Sequence, residues 1–142
     1  MGVIVVGIDH STEAKAALGF ALEEARLRRA RLLAVHAIDA FGTYPSLAVD
    51  VSAVHRAAEE LLENVTSDVN GEAGDVEIER RVVEGAPGAA LVAESRGADL
   101  LIVGSRGHGG FSGLLLGSVS QKCADHAACP VVIVRPQPAK SE

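Results

Sequence analysis

Val3-Ile4-Val5-Val6-Gly7-Ile8-Asp9 opens the chain, and its reading decides the fold. From Val3 to Ile8 no side chain is polar, and five of the six residues are β-branched. So short and unbroken an apolar run reads as a strand buried on both faces. Such strands belong to parallel sheets sandwiched between helices, because one face exposed to water would select alternation instead. Asp9 ends the run, so the strand tip is acidic.

The same pattern recurs outward from this stretch. Arg31 to Ala37, Leu100 to Val103 and Pro130 to Val134 are further apolar runs. Val76 to Val83 starts with an alternation of Val76 and Ile78 with Glu77 and Glu79, as a half-buried strand does. Helical spacing lies between the runs. Glu13 to Ala30 carries Ala16, Ala17, Phe20, Ala21 and Ala25, with Ser11 or Thr12 as its cap and Arg26, Arg28 and Arg29 at its far end. Val51 to Val69 carries Val54, Ala58, Leu61, Leu62 and Val65, and Asn70, Gly71 and Gly74 end it. Pro87 suits a first helical position, where a missing N–H costs nothing, and Gly97 closes the helix that follows. Ser118 to Ala127 is the last helix. The segment from Ile38 to Asp50, with Gly42, Pro45 and Ser46, reads as a connector or a lid, and Arg135 to Glu142 as a mobile polar tail.

Strands alternating with helices predict an α/β domain. Right-handed crossovers and one reversal predict a doubly wound, open, parallel five-stranded sheet of order 3-2-1-4-5, with helices on both faces. The whole chain, 1–142, reads as one domain, with no internal repeat or linker. Its 142 residues suffice for a single core, and 48% apolar content excludes disorder. The net charge of −6 and 3% aromatic content argue against a nucleic-acid or membrane-surface binder. No apolar run approaches the roughly 20 residues of a membrane span. Met1 to Val6 lacks a signal peptide's basic start and cleavage site. Two cysteines, Cys123 and Cys129, are too few for a secreted disulfide framework, so the cytoplasm is the expected compartment.

In this topology ligands enter at the carboxyl ends of strands one and four, where the winding reverses. Asp9, Ala37 and Gly104 should therefore meet there. Gly104-Ser105-Arg106-Gly107-His108-Gly109-Gly110, followed by Gly117-Ser118, leads from a strand into a helix. Glycines let backbone N–H groups approach an anion, and the helix start adds its own N–H groups. Ser118 and Ser120 add hydroxyls, and Arg106 adds charge. The loop lacks the Lys-Ser/Thr of a P-loop, and it follows the fourth strand rather than the first, as a dinucleotide fingerprint would. Glycines alone leave a ligand-free turn equally open.

The chain resembles the universal stress protein family over nearly its whole length. The resemblance lies in Val5-Val6-Gly7-Ile8-Asp9 with Ser11, Val35-His36-Ala37, Gly85-Ala86-Pro87, Asp99 to Gly104 and Cys129-Pro130-Val131-Val132-Ile133-Val134. Its sharpest part is the spacing Gly104, two residues, Gly107, nine residues, Gly117-Ser118, similar to the ATP-binding branch. By that resemblance, Asp9 holds a ribose hydroxyl or the adenine amino group, since a carboxylate only accepts. The backbone at Ala37 reads the adenine edge, in a pocket widened by the small side chain. Gly7, Ile8 and Val103 wall the base and ribose. Gly104, Arg106, Gly107, Gly117, Ser118, Val119 and Ser120 surround the phosphates. His108, from its place inside the glycine loop, reads equally as a phosphate contact and as a solvated loop residue. The resemblance implies ATP, with Mg²⁺ held through the phosphates and Ser118, and a dimeric sensor or switch. AMP or cyclic AMP binding, slow ATP hydrolysis and a nucleotide-free interaction module are the alternatives. No general base or carboxylate pair for a metal stands out, so no catalytic residue is assigned. The resemblance also implies a homodimer, and the apolar edge of Val131, Val132, Ile133 and Val134, otherwise a liability, suits antiparallel pairing with its twin, although Pro130 and Pro136 could blunt it.

Cys123, His126 and Cys129 lie three apart. Three ligands fall short of a structural zinc site, so buried thiols and a surface histidine are the simpler reading. His10 beside Asp9 does not imply an acid–base pair, since strand neighbours point to opposite sides.

Overall fold

The computed structural model describes residues 1–39, 50–105 and 116–136. The elements run β1 (Val3–Gly7), α1 (Glu13–Arg28), β2 (Arg31–Ile38), α2 (Val51–Ser67), α3 (Asn70–Ala73), β3 (Ile78–Glu84), α4 (Pro87–Glu94), β4 (Leu100–Gly104), α5 (Ser118–His126) and β5 (Val131–Val134). All the strand pairings are parallel, and the sheet order is β3-β2-β1-β4-β5. This is the doubly wound order expected of the sequence.

The double burial of the strands follows from their side-chain alternation. Ile4, Val6 and Ile8 join Leu32, Ala34, Leu100 and Ile102 under α1 and α2. Val5 joins Leu33, Val35, Leu101 and Val103 on the other face, with Leu91 of α4 and Cys123 of α5. An apolar residue is therefore needed at every position of β1, which is why it reads as a run. Helix α1 covers the first face through alanines, Ala14, Ala17, Ala21 and Ala25, all buried. Small side chains let it lie close to the strands.

The helix ends depart from the sequence reading in detail. Thr12 precedes α1 without a side-chain capping bond. The Ser11 N–H instead donates to Asp9 Oδ1 at 2.8 Å, and the Ser11 hydroxyl donates to the same oxygen. The capping expectation is thus corrected: the turn is held by a carboxylate two residues earlier. Helix α2 stops at Ser67 rather than Val69, and one further turn, α3, forms over Asn70–Ala73, where the glycines predict only an ending. The third strand begins at Ile78, two residues later than expected.

Two glycines have a steric reason. A Cβ on Gly7 would stand 2.7 Å from Leu91 Cδ1 and 3.4 Å from Val103 Cγ1. A Cβ on Gly88 would stand 2.9 Å from Lys122 Cγ, where α4 and α5 pack. Gly85, between β3 and α4, has φ of +133°, which a side chain would strain. Gly7→Ala should lower stability by about 1–3 kcal/mol, the range for overpacking a core. Urea unfolding measures it, and an unchanged midpoint would show that Leu91 has room to move.

Candidate functional site

The carboxyl rim between β1 and β4 gathers, of the residues that the sequence marked, Asp9, Ala37, Gly104 and the start of α5. Register fixes this: Gly7 of β1 pairs with Val35 of β2, and Val6 pairs with Ile102 of β4. β1 therefore ends level with Val35, while β2 runs three residues further. The backbone direction along β2 alternates. The Arg31 N–H donates to Gly2 O, and the Ile8 N–H to Val35 O, so odd residues of β2 face β1. The Leu32 N–H donates to Glu77 O, and the Gly85 N–H to Ile38 O, so even residues face β3. Ala37 is odd and lies beyond the end of β1. Its N–H and C=O therefore turn toward the rim and not toward β3.

Asp9 follows β1 and is half-buried, with Oδ1 engaged by Ser11. A carboxylate has about four acceptor positions, so Oδ2 keeps acceptor capacity. His36 supports the same rim. Its Nδ1 lies 2.7 Å from Ile8 O. A carbonyl only accepts, so Nδ1 carries the proton. The His10 ring meets His36 edge-on at 5.7 Å between centroids. This tether was not legible in the sequence, where His36 stood within the matched stretch Val35-His36-Ala37 without a role of its own.

On the other side, β4 ends at Gly104. The Ser105 N–H donates to Val134 O, holding this rim to β5. The Gly117 N–H donates to Ser105 O at 2.7 Å, and the Ser120 hydroxyl donates to the same carbonyl at 2.6 Å. The start of α5 is thus pinned to the tip of β4. Ser120 is buried and its hydroxyl is spent on backbone carbonyls, so only its N–H remains for an anion. Ser118 is exposed and Val119 half-buried in the first turn of α5, whose leading N–H groups have no acceptor within the helix. Gly104 is filled from within: a Cβ there would stand 3.1 Å from Glu13 Cβ, and the Ser105 hydroxyl donates to Glu13 Oε2 at 3.1 Å. In the sequence Glu13 stands only as the first residue of a helix, with no sign of this contact.

Ile8 and Val103 are nearly fully buried, in the cores of opposite faces, so their backbones rather than their side chains border the rim. Arg106, Gly107 and His108 lie outside the described residues, as do 40–49 of the connector and 137–142 of the tail. Elsewhere a groove of about 440 Å³ runs between α2 and β3, lined by His55, Glu59 and Glu63 against Arg80, Arg81 and Val82. Three of its polar side chains are engaged: His55 with Glu84 at 3.0 Å, Arg81 with Glu94 at 2.8 Å, and Arg80 with Thr66 at 3.3 Å. Among the described residues no helix is long and apolar enough to cross a membrane.

The family model described as the universal stress protein family matches residues 1–135. A universal stress protein of Mycolicibacterium smegmatis is 35% identical over 134 residues, covering 94% of this chain and 46% of the relative. The chain thus spans about half the length of such curated relatives. A solved universal stress protein in complex with cAMP is 33% identical, covers 94% of this chain and 96% of its own, and superposes with a TM-score of 0.68. The Archaeoglobus fulgidus universal stress protein in complex with dAMP is 27% identical, with 94% and 97% covered and a TM-score of 0.70.

The cysteines sit apart from the rim. Cys123 is fully buried and Cys129 half-buried, both in the core under α4 and α5. Burial, and then the neighbouring Cys129, push the Cys123 thiol up to about 11. Burial, and then the Asp99 charge, raise Cys129 as well. Both stay protonated at neutral pH, which makes them poor nucleophiles. Cys123 loses its proton less readily folded, near 11, than at its ordinary value of 9.0. The stability it contributes is therefore complete below pH 9 and falls away as pH rises toward 11. A thiol reagent at pH 8 should modify Cys129 slowly and Cys123 only after unfolding. Equal, rapid labelling of both in the native protein would contradict this burial.

Proposed function

This chain belongs to the universal stress protein family, and from that premise we propose that it binds an adenine nucleotide at the rim between β1 and β4. The reading rests chiefly on one observation: the strand order brings an acidic turn at Asp9, the outward backbone of Ala37 and the pinned helix start at Gly117 to one rim. Each suits a different part of one adenylate. Asp9 Oδ2 accepts from a ribose hydroxyl or the adenine amino group. Ala37 offers a donor and an acceptor to the adenine edge. The N–H groups of Ser118, Val119 and Ser120 suit phosphate, as helix starts do. The backbones of Gly7, Ile8, Val103 and Gly104 form the floor, and Arg106, Gly107 and His108 are assigned to the phosphates on their place in the glycine-rich sequence alone. Relatives solved with cAMP and dAMP support the adenine reading.

ATP is the ligand we assign, with Mg²⁺ carried on its phosphates and reached by the Ser118 hydroxyl. The one-phosphate ligands of those relatives favour AMP or cyclic AMP as the second reading. No described side chain is set up as a general base, so binding is read as a switch and not as turnover. The switch acts in a homodimer paired through β5. Two free cysteines suit a reducing compartment, the cytoplasm.

Mass spectrometry of the purified, denatured protein should reveal a co-purifying adenine nucleotide. Gly117→Val should abolish binding by filling the phosphate side, and Asp9→Ala should weaken adenosine. An empty preparation, with flat calorimetric titrations of ATP, AMP and cyclic AMP, would refute the reading. Pairing through β5 has its own test. Pro130 O and Val134 O accept from β4, so even residues face inward and the N–H of Ile133 faces out. Ile133→Pro removes that outward donor without cutting the ladder to β4. Sedimentation should show the dimer giving way to a monomer with secondary structure intact. A persistent dimer would move the interface elsewhere.

A further inference from the structure

The ladder between β1 and β2 stops one bond short, and a side chain takes the vacant acceptor. Odd residues of β2 face β1 in steps of two, from the Arg31 N–H on Gly2 O to the Ile8 N–H on Val35 O. In a parallel ladder the next bond would run from the Ala37 N–H to Ile8 O. Pairing ends instead at Gly7 and Val35, and among the described residues no bond joins the Ala37 N–H to Ile8 O. That carbonyl accepts from His36 Nδ1 at 2.7 Å. β2 itself runs on unbroken, since β3 holds it as far as Ile38, opposite Glu84. The turn closed by Asp9 and Ser11 follows Ile8, so Ile8 O is the last acceptor on β1 that Ala37 could meet in register.

We propose that His36 is a positioning residue for this rim: its imidazole occupies Ile8 O and so keeps the Ala37 N–H out of the sheet, available to a hydrogen-bond acceptor such as a ring nitrogen of adenine. The inference rests on the nucleotide reading above for its ligand, and on the strand geometry for the amide. A backbone N–H is a strong donor that seeks a partner. Without the imidazole, the Ala37 N–H would close on Ile8 O and lengthen the ladder by one rung. With it, the donor waits at the rim for a ligand. The two roles can be separated by substitution. Asn at this position carries a side-chain N–H donor at the place of Nδ1, whereas Leu fills the space and donates nothing.

The test is amide hydrogen exchange, followed by NMR, on the ligand-free full chain, on His36→Leu and on His36→Asn, with adenosine titrated into each by calorimetry. In the original chain the Ala37 amide should exchange at least about tenfold faster than that of Val35, which lies within the ladder. In His36→Leu the Ala37 amide should slow by about tenfold, and adenosine affinity should fall by about tenfold, the size of one lost hydrogen bond. His36→Asn should restore both. A side chain that only supported the fold would act the other way, and its loss would speed exchange along β1 and β2 together. An Ala37 amide already protected in the original chain would overturn the inference without any variant. So would an amide that does not slow in a folded His36→Leu, or an adenosine affinity that stays unchanged there. An original chain with a fast Ala37 amide that binds no adenine ligand would refute the nucleotide reading alone.

Discussion

β1 is hydrogen-bonded on both sides, to β2 through Val3–Gly7 and to β4 through Ile4–Val6. Everything else depends on that shared strand. The chain leaves β1 toward β2 and β3, then returns about a hundred residues after β1 to pair with its other flank. β4 and β5 join the rest of the sheet only through β1, so that single long-range pairing unites its two halves. The apolar side chains of β1 on both faces make the pairing favourable, because Ile4, Val5 and Val6 are removed from water only when helices cover both sides. The reversal also fixes where a ligand could enter. Connections leave β1 and β4 toward opposite faces, so their carboxyl ends are parted by a cleft and not bridged by one crossover.

The strands and long helices were legible because burial imposes a pattern on every residue. Val3 to Ile8, Leu100 to Val103 and Val131 to Val134 had no other economical reading, and the strand order follows from handedness once the elements are known. Local geometry at the ends was not legible. Ser11 could cap α1 or close a turn with Asp9, and the same hydroxyl suits both. The turn α3 forms across Gly71, where composition favours a stop, and Val65 and Val69 beside it and Ala73 within it belong to the core cluster under α1 and α2. Tertiary burial overrides weak local preference there. His36 and Glu13 were opaque for another reason. Each acts across the rim, on Ile8 O and on Ser105 Oγ, and no spacing within a segment reports where a side chain points once strands are paired.

The glycines illustrate how a site can be misjudged from residue type alone. Gly7 and Gly104 are matched positions, and both face protein atoms, Leu91 and Glu13. Their lack of a side chain is explained by packing, so by themselves they say little about a ligand. Backbone polar groups, whose direction the sheet dictates, favour a ligand more directly. Ala37 lies beyond the strand that would have satisfied it, and α5 begins where its N–H groups meet the rim. Ser105 connects the two aspects. Its carbonyl accepts from Gly117 and Ser120, and its hydroxyl donates to Glu13, so the phosphate end and the acidic helix start are mechanically one unit.

The two edges of the sheet are defended differently, and the difference bears on assembly. β3 is seven residues long and carries Glu79, Arg80, Arg81 and Glu84. Glu79 lies 2.6 Å from Arg31 and 3.4 Å from Arg81, which reaches Glu94 at 2.8 Å. These half-exposed pairs contribute little stability, about 0–1 kcal/mol each. Their effect is to make the edge costly for another strand to approach, since its charges would have to be desolvated. β5 has four consecutive β-branched residues, each half-buried and none charged. Alternate residues already pack into the cores on both faces, so the strand is held flat with its outer N–H and C=O groups aligned. An exposed edge of that kind is a template for pairing with another strand. A second copy of the same strand, running antiparallel, would satisfy those groups without exposing a new edge, which is why the proposed dimer contact lies at β5 and not at β3.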